Sequence, residues 1–126
     1  MVYDASVLLA LVLDEPGTER AMHSLADGVI SSVNLAEVMT VLAHRGATAE
    51  DLDALVNDLP LRVEDFTTDD AVLTARLRPD TKALGLSLGD RACLALAQRL
   101  SEVALTADRA WAKLPDSLSQ SVELLR

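Results

Sequence analysis

Residues 1–17 read MVYDASVLLALVLDEPG, and the reading of the fold turns on Asp4. A short strand-like opening, Val2 and Tyr3, meets a carboxylate and then enters Ala5 to Leu13, which is apolar on every side. An isolated charge in such surroundings is costly unless a partner offsets it. No Lys or Arg precedes Arg20. Asp4 therefore either lies at the edge of the apolar layer and caps the next element, or it belongs to a site that supplies a counter-charge.

Outward from this stretch, short apolar segments alternate with amphipathic ones along all 126 residues, with no linker, repeat or low-complexity run. Residues 2–3, 29–33 (VISSV), 61–66 (LRVEDF), 102–107 (EVALTA) and 121–125 (SVELL) read as strands. Leu35, Val38, Met39 and Leu42 follow helical spacing, as do Leu52, Leu55, Val56 and Leu59, and Pro60 ends the second of these helices. Thr48 with Asp51 and Thr67 with Asp70 have capping-box spacing, Asp standing in for Glu. Strands and helices alternating in this way predict one α/β domain over residues 1–126, with about five short, mainly parallel strands covered by helices on both faces. Ligands of such sheets bind at the carboxyl ends of the strands.

Composition supports this class. Half of the residues are hydrophobic but only Tyr3, Phe66 and Trp111 are aromatic, so the core is Leu, Val and Ala, as in helices packed on a sheet. A formal net charge of -9 opposes loose adsorption to nucleic acid or anionic membranes, which needs a broad basic surface. It leaves room for a narrow groove that holds a cation. Cys93 is the only cysteine and sits in the apolar CLALA, which predicts a buried structural thiol. The longest apolar run is far short of the roughly 18 residues that a membrane span needs. With a lone thiol and no basic, cleavable leader, a cytoplasmic location is expected.

Four acids fall at junctions between these elements. Asp4 follows the first strand, Glu37 is expected in the first turn of the helix after VISSV, Asp90 begins the helix of RACLALAQRL, and Asp108 follows EVALTA. Taken singly, each reads as a cap: Asn34 with Glu37 and Ser87 with Asp90 have capping-box spacing, and Asp4 and Asp108 suit N-caps. In a parallel sheet, however, the helices that follow the strands begin at one edge, so these carboxylates converge on one crevice. Two unit charges about 4 Å apart repel by about 4 kcal/mol at an effective dielectric near 20. A crevice of carboxylates calls for a cation, and an all-oxygen donor set suits Mg²⁺ or Mn²⁺. Zinc does not fit, since His23 and His44 lie on polar helix faces away from the junctions.

The succession VYDAS, SSVNLAEV, LSLGDRACLALA and LTADRAW resembles the PIN-domain ribonucleases, and within them the VapC toxins of toxin–antitoxin pairs. The resemblance spans essentially the whole chain. It implies a three-layer α/β/α sandwich in which Asp4, Glu37, Asp90 and Asp108 bind one or two Mg²⁺ ions, with Mn²⁺ as a substitute. Ser6, Asn34 and Thr106 match positions that support those acids or the attacking water. It further implies hydrolysis of RNA phosphodiesters, a structured substrate such as tRNA or rRNA, a cognate antitoxin as inhibitor, and a homodimer.

Few cations are available to grip a phosphate chain. Arg76, Arg78, Lys82 and Arg91 form the densest basic stretch, and Arg91 and Arg109, each beside a proposed metal ligand, are the better candidates for phosphate contact. Trp111 reads as a packing residue. Two other classes remain open. A phosphoacceptor signalling domain shares the fold class and the Mg²⁺ site, although VYDAS offers one acid where that family has a pair and SVELLR lacks its Lys. The other is a binding module whose acids only cap helices.

Overall fold

The computed structural model describes residues 1–119 and 121–126. Five strands, β1 (Val2–Tyr3), β2 (Val29–Ser31), β3 (Arg62–Glu64), β4 (Ala104–Thr106) and β5 (Val122–Leu124), form one sheet in the order β3-β2-β1-β4-β5. Every neighbouring pair is parallel. Between them run α1 (Ala5–Val12), α2 (Glu19–Ser24), α3 (Ser32–His44), α4 (Ala49–Asp58), α5 (Thr68–Arg76), α6 (Arg78–Thr81), α7 (Leu88–Leu100) and α8 (Asp116–Ser119).

The strand register produces the layers. Val2 lies opposite Val29 and Ala104, while Tyr3 lies opposite Ile30 and Leu105. Since successive side chains point to opposite faces, the first trio packs with Cys93 to Ala97 of α7, Leu77, Trp111 and Leu114. The second trio packs with Val7 and Leu8 of α1 and Leu35 and Val38 of α3. The three-layer sandwich implied by the resemblance is therefore present. Cys93 and Trp111 are fully buried in the first cluster, as expected of packing residues.

Each expected strand exists, β1 at the expected residues and the other four shorter than expected. β2 stops at Ser31, two residues before the end of VISSV, because the Ser31 hydroxyl accepts the Val33 N–H at 3.2 Å and caps α3. The Thr48–Asp51 and Thr67–Asp70 capping boxes form as read from their spacing, and so does Ser87–Asp90. Asn34 and Glu37 do not form one. With Ser31 as the cap, Asn34 already lies inside the first turn and Glu37 begins the next. No helix among the described residues is long and apolar enough to cross a membrane.

The chain lays β1, β2 and β3 outward in one direction and then returns to place β4 and β5 on the other side of β1. The switch point lies between β1 and β4, where an open parallel sheet leaves a crevice beyond the strand ends. Phosphoacceptor domains use the 2-1-3-4-5 order of the flavodoxin-like fold, which this sheet does not have.

Candidate metal centre at the switch point

Asp4 sits at the end of β1 with 3% of its surface exposed. It occupies the N-cap position of α1, but its side chain makes no capping bond. Instead Ser6 Oγ donates to Asp4 Oδ2 at 2.6 Å and Thr106 Oγ1 donates to the same oxygen at 3.0 Å. Each hydroxyl has one proton to give. Each oxygen in turn accepts a backbone N–H, Ser6 from Ala107 at 2.9 Å and Thr106 from Asp108 at 3.0 Å. Both protons are thus committed to Asp4, and the 3.4 Å contact between the two hydroxyls has no proton left to bridge it. Asp4 Oδ2 is doubly satisfied, whereas Oδ1 is buried with no partner at all.

Glu37 and Asp90 stand next to it. The fully buried Asn34 donates its Nδ2 to Gly89 O of α7 at 3.0 Å and to Glu37 Oε2 at 3.4 Å. This ties the first turns of α3 and α7 together and lays the Glu37 carboxylate against Gly89, where any Cβ would overlap it. Asp90 Oδ2 accepts the Ser87 N–H at 2.9 Å. Asp4 has its pKa raised, first by burial and then by the charge of Asp90, against the lowering effect of the two hydroxyls and, least of all, the nearby Ser6 backbone N–H. Glu37 is raised by burial and by the charges of Asp4 and Asp90, with the Asn34 amide opposing. Behind these three, burial pushes the Cys93 thiol well up, and the same three carboxylates add to the shift. The mutual charge effects of Asp4, Glu37 and Asp90 add to burial and mark one acidic crevice at the strand ends.

Asp108 is placed differently. It is exposed, and its Oδ1 accepts the Ala110 N–H at 2.9 Å, capping a 3-10 helix over Arg109–Lys113. It communicates with Asp4 through Thr106, whose hydroxyl takes the Asp108 N–H and gives its proton to Asp4. Among the described residues no three Asp, Glu, His or Cys side chains are drawn into a ready-made metal cage. Asp90, Glu37 and Asp108 each have one oxygen on a local donor.

The proposed phosphate contacts carry local bonds. Arg91 is half-buried and its NH1 donates to Thr74 O of α5 at 3.0 Å, while exposed Arg109 donates to Arg126 O at 3.3 Å. His23 and His44 are exposed. His44 ends α3, ten residues beyond Asn34, which is about 15 Å along the axis at 1.5 Å per residue. The donor set at the crevice is therefore carboxylate oxygen, and the orphaned Asp4 Oδ1 is an acceptor that a hard divalent ion fits. Two features had little signal in the sequence: the cradle at Gly89, and an apolar groove of about 690 Å³ between α1, α2, α3 and α4 lined by Leu8, Leu11, Leu42, Leu52 and Leu55.

Fold and site together define an open, wholly parallel α/β domain with an acidic crevice at its switch point. The PIN domain model matches residues 1–117, and the chain belongs to the PIN domain family. No curated protein sequence matches it. Among solved structures it is similar to a toxin–antitoxin complex from Klebsiella pneumoniae (20% identity, 99% of this chain and 97% of that one, TM-score 0.78). It is also similar to DNA-bound VapBC from Salmonella typhimurium (19% identity, 99% and 97%, TM-score 0.72) and to FitAcB from Neisseria gonorrhoeae (18% identity, 99% and 96%, TM-score 0.70). At these identities the likeness is one of fold.

Proposed function

We propose that this protein is a Mg²⁺-dependent endoribonuclease and the toxin of a type II toxin–antitoxin pair. The observation that carries the reading is Asp4 Oδ1, a buried carboxylate oxygen without a partner, beside Glu37 and Asp90. Capping alone leaves that atom unexplained, because its carboxylate caps nothing.

Asp4 and Asp90 would hold the principal ion, with Glu37 and Asp108 completing its surroundings or orienting the attacking water. Bound there, a hard divalent cation supplies an acidified water at neutral pH and offsets charge developing on the phosphoryl oxygens. Ser6 and Thr106 oppose the effect of burial on Asp4 and fix its carboxylate, since both of their protons go to Oδ2 and Oδ1 is left without a donor. Asn34 holds Glu37 against the start of α7. The N-terminal end of that helix favours the anionic phosphodiester and the charge that builds on it as water attacks.

An antitoxin partner follows from the same reading, in keeping with the toxin–antitoxin and VapBC complexes of similar fold. The groove between α1 and α4 supports it. Its wall is mostly aliphatic, and the charged side chains that line it, Asp14, Asp51 and Asp58, are all acidic. An amphipathic segment with basic flanks suits such a surface, and a basic side chain of the same partner placed in the crevice would occupy the place of the cation.

The test is cleavage of structured RNA by the purified protein with Mg²⁺, with EDTA, and with Mg²⁺ restored, run beside Asp4→Asn and Asp90→Asn. Cleavage that survives EDTA or either substitution would sink the assignment.

A further inference from the structure

Gly89 occupies the second position of α7, where Ala would be the better helix former, and where nothing about the backbone demands glycine: it is not among the residues with positive φ. What it does have is a neighbour. A Cβ built on Gly89 would overlap the Glu37 carboxylate at Oε1 and Cδ and approach Oε2 at 2.7 Å. All three nearest atoms belong to that one carboxylate. The Gly89 carbonyl also receives Asn34 Nδ2 at 3.0 Å, and the same amide reaches Glu37 at 3.4 Å. Residue 89 is thus floor and anchor at once. Its missing side chain makes the space in which Glu37 rests, and its carbonyl holds the amide that steadies Glu37 there.

We infer that Gly89 is a positioning residue whose lack of a side chain seats the Glu37 carboxylate in the crevice beside Asp4 and Asp90. The inference rests on the reading of these acids as a divalent-metal site. A methyl group at position 89 meets the end of a flexible side chain and not backbone, so Glu37 turns to another rotamer at small cost to the fold. The loss falls on the site. Displacing a group that orients a metal ligand typically costs 10–100-fold in metal affinity, and Glu37 leaves its Asn34 bond as it goes. Stability and metal binding should therefore move in opposite directions, which a residue needed only for packing would not produce.

The experiment is a four-protein cycle of wild type, Gly89→Ala, Glu37→Ala and the double variant. Mn²⁺ binding is followed by the electron paramagnetic resonance of free ion, and the melting temperature is measured without metal. Gly89→Ala is expected to melt at or above the wild-type temperature and to bind Mn²⁺ about tenfold more weakly. In the Glu37→Ala background the same change should have no further effect on affinity, because its whole action passes through Glu37. Wild-type affinity in Gly89→Ala, an undiminished effect in the Glu37→Ala background, or a melting temperature well below wild type would each overturn it, the last by showing that the methyl meets backbone. A wild-type protein that binds no Mn²⁺ would instead remove the metal-site reading and this inference with it.

Discussion

Thr106 Oγ1 donates to Asp4 Oδ2 at 3.0 Å, joining the ends of two neighbouring strands from residues 102 positions apart in the chain. The bond crosses the switch point of the sheet. It makes Thr106 a three-way junction, since the same hydroxyl takes the Asp108 N–H and the residue itself is fully buried. Thr106→Val keeps the shape and removes the hydroxyl. It leaves the Asp108 N–H without its acceptor and Asp4 with one donor where it had two. A hydrogen bond to a charged group contributes about 1.5–3 kcal/mol, so the urea midpoint of the metal-free protein should fall accordingly, while Thr106→Ser should retain most of it. Equal midpoints for Val and wild type would mean that the junction contributes nothing.

The raised pKa values of Asp4 and Glu37 set a direction for the effect of pH. A carboxyl that titrates higher in the folded state than in the unfolded one contributes its full stability only below the unfolded value of about 4, and that contribution is lost as pH rises through the folded value. Burial is the first cause for both residues. The metal-free wild type should therefore lose stability relative to Asp4→Asn as pH climbs from about 4 toward 7, whatever fixed cost the amide carries. Added Mg²⁺ should reverse this for the wild type alone, by binding the folded state. Parallel stability curves for the two proteins would show that burial does not penalise the Asp4 charge.

Asp70 shows the opposite sign. It is 1% exposed and burial alone would raise its pKa, but the Arg99 hydrogen bond, the Thr67 backbone N–H and the Arg99 charge together lower it. Arg99 Nε stands 2.6 Å from Asp70 Oδ1, fastening α7 to the start of α5. Here the stabilisation is present above the unfolded pKa and is lost as pH falls through the folded one. Arg99→Met removes the cation from a buried carboxylate and leaves it the Thr67 N–H. The cost should approach the lower part of the range of about 3–5 kcal/mol for breaking a buried pair, because Arg99 keeps 27% of its side chain exposed. Denaturant titration at pH 7 and pH 3 tests this: the deficit of the variant should shrink at the lower pH, and a constant deficit would assign it to lost packing.

Much of this arrangement was legible in the sequence because it is local. The central strands are buried on both faces and read as apolar runs, and three capping boxes, at Thr48, Thr67 and Ser87, close between residues three apart. Asp4, Glu37 and Asp108 were legible for a related reason: they follow β1, β2 and β4, and a parallel sheet places its strand-to-helix junctions at one edge, whereas Asp90 opens a helix that follows another helical segment. What was not legible depends on partners distant in the chain. Asn34 and Glu37 have the spacing of a capping box, yet Asn34 spends its amide on Gly89, 55 residues away, because Ser31 had already capped the helix. Asp4 looks like another cap until Thr106 is seen to hold it. The apolar groove needs the relative placement of four helices, and no spacing along one of them encodes that.

The chemistry of the cut ends is the sharpest expectation of the proposed activity. Ribonucleases that use the ribose 2′-hydroxyl as nucleophile need a positioned general base and acid, commonly His, to move its proton. The two histidines of this chain are exposed, one on α2 and the other at the far end of α3 from the crevice. The groups at the crevice are carboxylates, whose chemistry is to hold a hard cation and orient a water. In-line attack by that water forms one P–O bond and breaks the bond to the 3′-oxygen, leaving a 5′-phosphate on one fragment and a 3′-hydroxyl on the other. The 2′-hydroxyl then has no covalent part to play, whatever it adds to recognition. A substrate carrying a single 2′-deoxy nucleotide at the scissile position should still be cut, and ligation-based sequencing should recover 5′-phosphorylated ends. A 2′,3′-cyclic phosphate product, or a substrate made inert by the one deoxy substitution, would overturn the mechanism while leaving the fold untouched.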